Sequence, residues 1–190
     1  QQGRSEAAER TLTEAVDAAR RHLGAEHYLT GAALSQLADV YAMRGQFDRA
    51  LAPAREALAI VRKSSGERSQ SHLLMRATLG VLELQSGQLQ TAITTLTEAR
   101  STLIELLGER SPQAQGASFY LASALVEVSR PAEAAELLTA VDAAGLTSTT
   151  AGGSDWAPRL QALKGQILIA QGRDVDGAAL LGPAIEQMKA

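Results

Sequence analysis

A constant repeat interval constrains this sequence more than any other feature. The stretch "ADVYAMRGQFDRALAPAREAL" (38–58) is echoed by "GVLELQSGQLQTAITTLTEAR" (80–100) and again by "ASALVEVSRPAEAAELLTAVD" (122–142). The three stretches begin at positions 38, 80 and 122, so the same interval separates each from the next. Self-similarity at a fixed period is typical of repeat architectures, in which each unit is too small to bury its apolar face alone. The sequence therefore predicts a stacked array of similar units.

Small residues define the register of the units. One small position is an alanine in every copy, and a turn residue precedes it by five positions: Ala8, Ala50, Ala92 and Ala134, after Gly3, Gly45, Gly87 and Ser129. The connections between units repeat as well, as "LGAEH" (23–27), "SGERS" (65–69) and "LGERS" (107–111). In the last unit the interval grows by one residue, with Gly165, Gly172 and Gly177 at the small positions.

Each unit has the pattern of a helical hairpin. Leu34, Leu37 and Tyr41 recur at intervals of three and four, which places them on one helix face. Gly45 then supplies a C-cap, and a second helix follows. The sequence predicts nine helices, over 4–23, 29–44, 46–64, 70–86, 88–107, 112–128, 130–143, 155–171 and 173–189. Pro53 and Pro183 fall inside second helices and should bend them.

The pattern resembles the tetratricopeptide repeat. Its residues read Leu34, Leu37-Ala38, Tyr41, Gly45, Phe47, Ala50 and Ala57, and the 42-residue period resembles the kinesin-light-chain variety. The resemblance implies an all-α fold, a right-handed α-solenoid of antiparallel helical hairpins. We expect one array over 1–190: a second helix of a truncated repeat (1–23), repeats at 24–65, 66–107 and 108–144, a flexible loop (145–155) and a last repeat or cap (156–190). The first segment indicates a fragment of a larger protein.

Two copies depart from the repeat pattern. Glu83 takes the place of Tyr41 in the following unit, and Ser129-Arg130-Pro131 replaces the turn glycine in the next. Trp156, the only tryptophan, is out of phase with the large position of the first helix. We interpret Trp156 as an anchor for the final hairpin, with stacking against a ligand as the alternative.

Several functional classes find no support in the composition. A net charge of -3 gives no footprint for nucleic acid, and the absence of cysteine excludes disulfides and thiolate sites. No apolar run approaches the length of a membrane span, so no membrane contact is expected. His27 lies in a connection and has no metal-ligand spacing, and "AGGSDW" lacks the residues of a phosphate loop. Glu14, Glu56 and Glu98 recur with the repeat. We expect no catalysis, no metal and no cofactor.

The resemblance implies that first helices line a concave groove that binds a partner. Its inward positions are Ser35, Asp39 and Met43, then Ala77, Val81 and Gln85, then Phe119, Ser123 and Glu127, and last Ala162, Gln166 and Ala170. The family's asparagine and its basic carboxylate clamp are absent, since Ser35-Gln36, Ala77-Thr78 and Phe119-Tyr120 stand there. A mildly acidic groove with apolar spots suits an extended segment with apolar and basic side chains. Arg55, on a second helix, is expected to face solvent.

The function implied is a non-catalytic protein–protein or peptide-binding module. The Ala- and Arg-rich composition resembles bacterial versions, in which such arrays serve as sensor or scaffold parts of a protein kinase or regulator. The alternative is an assembly element that mediates self-association, giving a homo-oligomer. The compartment stays open: cytoplasmic, or periplasmic if the array is the sensor of a membrane-bound receptor kinase.

Overall fold

The computed structural model describes residues 2–142, 146 and 156–189, apart from the side chains of residues 2–5. Nine α-helices and one 3₁₀ turn, with no strand, make up the regular structure of these residues. In chain order the helices are α1 (Gln2–His22), α2 (Tyr28–Met43), α3 (Phe47–Ser65), α4 (Gln70–Gln85), α5 (Leu89–Leu107), α6 (Pro112–Glu127), α7 (Pro131–Leu137), α8 (Trp156–Ala170) and α9 (Asp174–Lys189). The helix pattern predicted from the sequence is confirmed, with one exception at α7.

The repeated connections act as helix starts. His27, Ser69 and Ser111 hold the same position in successive repeats and are the N-caps of α2, α4 and α6. Each side chain accepts a hydrogen bond from a backbone N–H of the first turn. Such a cap satisfies one of the donors that a helix start leaves without a partner. The echo among "LGAEH", "SGERS" and "LGERS" therefore records three copies of one capping turn.

The turns inside the hairpins share a left-handed residue. Gly45 and Gly87 have φ of 68° and 79°, and Gly172 has 79° in the last hairpin. Ser129 holds the equivalent place with φ 58°, and it is the one residue other than glycine with positive φ in the described part of the chain. Glycine adopts this conformation at little cost, whereas a side chain makes it unfavourable. The substitution at Ser129 leaves the turn geometry unchanged.

The chain forms two compact units, Gln1–Gln88 and Leu89–Ala190. In the first unit α1 packs on α2, α2 on α3 and α3 on α4. One buried cluster joins them, and the repeat alanines Ala50, Ala54 and Ala57 lie in it with leucines of α2 and α4. Burying one such leucine contributes about 1.5–3 kcal/mol. The assignment of 1–190 to a single array stays a prediction.

An ion cluster fastens α1 to the hairpin of α2 and α3. Glu9 accepts hydrogen bonds from Arg49 at 2.6 Å and from Arg44, and the Tyr41 hydroxyl donates to it at 3.4 Å. The hydrogen bond from Arg49 is the main cause that lowers the pKa of Glu9. Arg20 also reaches from α1 to both carboxylate oxygens of Glu56 on α3, at 2.7 and 2.6 Å.

The second unit contains α5 to α9. Helix α5 packs on α6, α6 on α7, both α6 and α7 on α8, and α8 on α9. In the last hairpin, glycines allow α8 and α9 to pack closely against each other, as the small positions in the sequence predict. A methyl group added to Gly165 would lie 2.8 Å from the carbonyl oxygen of Gly177, and one added to Gly177 would lie 2.5 Å from Ile169 Cγ1. Neither position has room for a side chain.

Helix α7 is shorter than predicted. The sequence predicts a helix over 130–143, but α7 ends at Leu137, a 3₁₀ turn spans Leu138–Ala140, and Val141 is extended. The cause lies on α6. Gln115 is buried, its Oε1 accepts the N–H of Asp142 at 2.9 Å, and its Nε2 donates to the Arg110 carbonyl at 3.0 Å. Leu73 holds the equivalent place one repeat earlier, where no side chain can make this bond.

Candidate functional site

A candidate binding surface lies between α2 and α4, within the first unit. Two adjoining cavities of about 270 and 390 Å³ open there, and they share Ser35, Ser71 and Met75. The first cavity is also lined by Ala38, Asp39, Ala54, Leu74, Thr78 and Leu82. The second is also lined by Tyr28, Ala32, Gln36, Val61, Ser64 and Ser65. We call this continuous trough the α2–α4 groove.

The structure brings together part of the predicted site. Ser35 and Asp39 line the α2–α4 groove, and Met43 follows one turn later on α2 with 87% of its surface exposed. Val81 is half-buried and Gln85 is exposed, and neither lines the two cavities. The set as a binding site stays a prediction.

Sequence reasoning missed the opposite wall of the groove. Ser71, Leu74, Met75 and Thr78 of α4 face the α2 residues across the trough. The repeat register could have indicated this wall. A groove between two successive first helices is lined by one flank of the first helix and by the opposite flank of the next. Thr78 is the counterpart, one repeat later, of Gln36, which lines the second cavity. The prediction used one flank only.

Asp39 is the only ionisable side chain in the lining of the first cavity, although Ser71 and Thr78 add hydroxyl groups. Its carboxylate has no ion pair or hydrogen bond to any residue that the structure describes. Partial burial raises the pKa of Asp39 above its usual range. A partly desolvated, unpaired carboxylate beside apolar side chains gains from a cation, because pairing compensates for the lost hydration.

The second unit corrects the expectation for Phe119. This ring is only 8% exposed and packs edge-on against Trp156, with ring centroids 5.3 Å apart. The cause is a cluster of three aromatic rings, in which Tyr120 also contacts both neighbours. Phe119 therefore lies in packed interior and not on an open groove surface.

The remaining predicted residues of the second unit do not form one surface feature. The Ser123 hydroxyl donates to the Phe119 carbonyl at 3.0 Å, while Glu127 and Gln166 are exposed. No cavity described for this chain includes any of these three side chains. Trp156, at 2% exposure, anchors α8 against α6, which confirms the structural interpretation of this residue. The predicted loop 145–155 falls outside the described residues except at Leu146.

Arg55 is exposed, as the sequence predicts, but its guanidinium is paired. Its guanidinium donates to Oε1 of Glu83 at 3.1 Å and to Gln88 at 3.0 Å. Glu83 replaces the repeat tyrosine, and its carboxylate is 2% exposed. The unexpected pairing follows from that substitution, since a buried carboxylate needs a donor that the repeat does not normally supply.

Two of the three histidines, His27 and His72, have structural roles in helix starts. His27 Nδ1 accepts the N–H of Leu29 at 3.2 Å as the N-cap of α2, and the buried His72 donates from Nδ1 to the Glu67 carbonyl at 2.7 Å. Within the described residues, no group of three or more His, Asp or Glu side chains could hold a metal ion. No helix in the same part of the chain combines the length and apolar character that a membrane crossing needs.

Comparison with known proteins agrees with this architecture. Residues 1–63 match the tetratricopeptide repeat family. Two crystal structures of a Podosopora anserina putative kinesin light chain with nearly identical TPR-like repeats are similar in fold, at 24% identity. They cover 98% and 100% of this chain and 87% and 89% of theirs, with TM-scores of 0.77 and 0.75. BtubC (BKLC) from P. vanneervenii has a TM-score of 0.75 at 21% identity, over 99% of this chain and 74% of its own.

No curated protein matches the chain in sequence. The solved structures establish the fold, and with the repeat register they confirm the predicted class, an all-α solenoid of helical hairpins. Proteins with such repeats generally mediate protein–protein interaction, and the fold is a typical non-catalytic interaction module. Residues 1–63 therefore carry tetratricopeptide repeats, and the fold of the chain is like that of the kinesin-light-chain repeat structures.

Proposed function

We propose that this chain is a non-catalytic module that binds a peptide segment of a partner protein in the α2–α4 groove. The observation that carries the proposal is the pair of adjoining cavities, which have apolar floors and hydroxyl groups along their walls. Extended segments that lie in such grooves bury alternate side chains and leave their backbone to polar groups on the walls. The unpaired Asp39 favours a segment with basic as well as apolar side chains.

A displayed library of random linear peptides tests this function. Ser35 lines both cavities, so Ser35→Trp should fill the groove, while Ala59→Trp adds the same side chain to an exposed position of α3 outside the groove. Peptides selected on the unmodified protein should bind Ala59→Trp equally and Ser35→Trp at least about 10-fold more weakly, a loss of about 1.4 kcal/mol. Selected peptides that tolerate Ser35→Trp would show that the groove is not the binding site.

We also infer a setting for the module, as the sensor or scaffold part of a larger bacterial signalling protein such as a kinase or regulator. The support is the Ala- and Arg-rich composition. The reading frame upstream of residue 1 is the decisive observation. A kinase domain followed by a membrane span would place the array outside the cytoplasm, whereas a DNA-binding domain would place it inside. An upstream region with neither would contradict the signalling role.

Self-association is a second candidate, and the last hairpin favours it. Four large apolar side chains of α8 and α9 are exposed there: Ile169, Val175, Ile185 and Met188. Exposed apolar side chains concentrated on one hairpin are typical of interaction surfaces. Sedimentation equilibrium over a wide concentration range tests this candidate. A mass that rises with concentration and returns to that of the monomer in Ile185→Glu/Met188→Glu would support assembly, and a constant monomer mass would exclude it.

A further inference from the structure

We propose that one face of α9 binds an amphipathic helix of a partner protein, in the way that first helices pack on second helices inside this chain. The face consists of four apolar residues at intervals of three and four, which place them on one side of the helix: Ala178, Leu181, Ile185 and Met188. We call it the α9 face. The inference goes beyond the proposed function, because the α2–α4 groove takes no part in it.

The equivalent face of each preceding second helix is covered. Counted from the small position of each repeat, the α9 face corresponds to Leu51, Ala54, Leu58 and Val61 of α3 and to Ile93, Leu96, Arg100 and Leu103 of α5. Five of these eight residues are buried, the other three are half-buried, and none is exposed. The cover is the next first helix, since α4 packs on α3, α6 on α5 and α8 on α7. The face is therefore the surface on which these repeats stack.

The α9 face has the same apolar character without the cover. Ile185 and Met188 are 38% and 47% exposed, Ala178 is exposed and Leu181 is half-buried. Helix α9 packs on α8, and no first helix covers its other side in the part of the chain that the structure describes. Exposed apolar side chains grouped in this way are typical of a surface that another protein covers.

The repeat contacts favour a partner helix over a second copy of the chain. All four first helices of the described residues already pack on a second helix: α2 on α1, α4 on α3, α6 on α5 and α8 on α7. A second copy could offer a first helix to the α9 face only by removing it from its own array, which would expose the apolar residues that the helix now covers. A helix from a partner protein carries no such cost.

Helix α4 shows which apolar pattern such a face accepts. Leu79 and Leu82 of α4 belong to the same buried cluster as Leu51 and Ala54 of α3, and Met75 packs against that cluster. The three α4 residues are spaced i, i+4 and i+7, which makes one apolar stripe. The same three positions of α6 are all buried, as Ala117, Leu121 and Ala124. We expect the partner helix to carry this stripe, with a leucine at its middle position.

Designed helical peptides test the α9 face. The probe is an acetylated, amidated peptide of Ala, Glu and Lys with the 16-residue length of α4 and with leucines at the places of Met75, Leu79 and Leu82. A control peptide of identical composition spreads its three leucines around the helix. Binding to the ¹⁵N-labelled protein is followed by the amide shifts of the α9 face. The striped peptide should bind at least about 5-fold more tightly than the control, a difference of about 1 kcal/mol.

Two protein variants locate the contact. Ile185→Glu should weaken binding of the striped peptide at least about 10-fold, or about 1.4 kcal/mol, because the new carboxylate would be covered by leucines. Gln187→Glu is the matched control, since it adds the same charge to α9 at an exposed position outside the α9 face. It should leave the affinity unchanged. Circular dichroism checks that both variants are folded.

Three results would each overturn the inference: equal binding of the two peptides, no shift of the α9-face amides, and an unchanged affinity in Ile185→Glu. Self-association through this face is a fourth. Without any peptide, it would shift the same amides on dilution and raise the mass with concentration, and a second copy would then be the occupant. None of these results bears on the α2–α4 groove, whose own test uses Ser35→Trp.

Discussion

Arg55 donates to one oxygen of the Glu83 carboxylate at 3.1 Å, while the other oxygen, Oε2, is buried with no hydrogen-bond partner among the described residues. Glu83 stands where Tyr41 stands in the preceding unit and Leu125 in the following one. A buried carboxylate loses its hydration, and here it recovers only half of its hydrogen bonds. The pair therefore costs more than an apolar residue would at the same place.

Glu83→Leu should raise the free energy of unfolding by about 1–2 kcal/mol, because an apolar side chain replaces a half-satisfied buried charge. Arg55→Ala should lower it by about 1–3 kcal/mol by removing the donor to that charge. Urea denaturation of both variants and of the double variant measures these changes. In the Glu83→Leu background, Arg55→Ala should have little effect. A loss of stability in Glu83→Leu would contradict this account.

The left-handed turn at Ser129 predicts a stabilising glycine. Ser129 has φ 58°, a conformation that costs a residue with a side chain about 1–2 kcal/mol relative to the right-handed region. Part of this gain is offset by the greater freedom of glycine in the unfolded chain. Ser129→Gly should raise the free energy of unfolding by about 0.5–1 kcal/mol.

Ser86→Gly is the matched control for this turn. Ser86 ends the equivalent first helix with φ −86°, and its hydroxyl donates to the Glu83 carbonyl. Glycine has no conformational advantage there, so the variant should be neutral or less stable. The denaturant concentration at the midpoint of unfolding, compared between variants that have the same m-value, decides between these expectations. Equal gains in both variants would point to a general effect of glycine and not to the strained turn.

The sequence predicts the helices well because the relevant signals are local. The caps His27, Ser69 and Ser111 lie within three residues of the N–H groups they bind, and Gly45 and Gly87 set their own turns. Because the same cap and turn residues recur at equivalent positions of successive repeats, each repeat supports the assignment of helix ends in the others. Helix caps and turns can therefore be predicted from residues that are adjacent in the sequence.

The differences from prediction all involve partners distant in sequence. Phe119 is buried because Trp156, which lies far downstream and out of phase with the repeat, packs on it. Helix α7 ends early because Gln115 on another helix binds the N–H of Asp142. The α4 wall of the groove depends on how two helices face each other. The repeat register carries no information on the first two contacts, and it indicates the α4 wall only once the two helices are known to face each other.

Close packing at the repeat alanines predicts a steep cost of enlargement. Ala92 is fully buried, whereas Ala8 at the equivalent position of α1 is half-buried. Ala92→Leu should lower the free energy of unfolding by about 1–3 kcal/mol through overpacking. Ala8→Leu should cost clearly less, since part of the larger side chain can remain in solvent. Equal losses, measured by thermal and urea unfolding, would argue against the equivalence of the two positions.

The raised pKa of Asp39 predicts a pH dependence of stability. Burial makes the folded state bind the Asp39 proton more tightly than the unfolded state does. The stability that this carboxyl group contributes therefore falls as the pH rises from its pKa in the unfolded state, about 3.9, through its higher pKa in the folded state. Asp39→Asn removes the partly desolvated charge, so its advantage over the unmodified protein should be largest near pH 7. That advantage should shrink toward pH 4; a constant difference would show that desolvation of the carboxylate is not the cause.

The contact between Gln115 and Asp142 gives a graded prediction for the end of α7. Gln115→Leu removes both the acceptor of the Asp142 N–H and the donor to the Arg110 carbonyl, so the free energy of unfolding should fall by about 1–3 kcal/mol. Gln115→Glu keeps the acceptor, loses the donor and adds a buried negative charge that carries its own cost in stability. Hydrogen exchange at the Asp142 amide separates these effects, because exchange requires that N–H to lose its partner. The amide should exchange faster in Gln115→Leu and close to the unmodified rate in Gln115→Glu. Equal acceleration in both variants would mean that Gln115 acts through packing and does not fix the early end of the helix through its hydrogen bond.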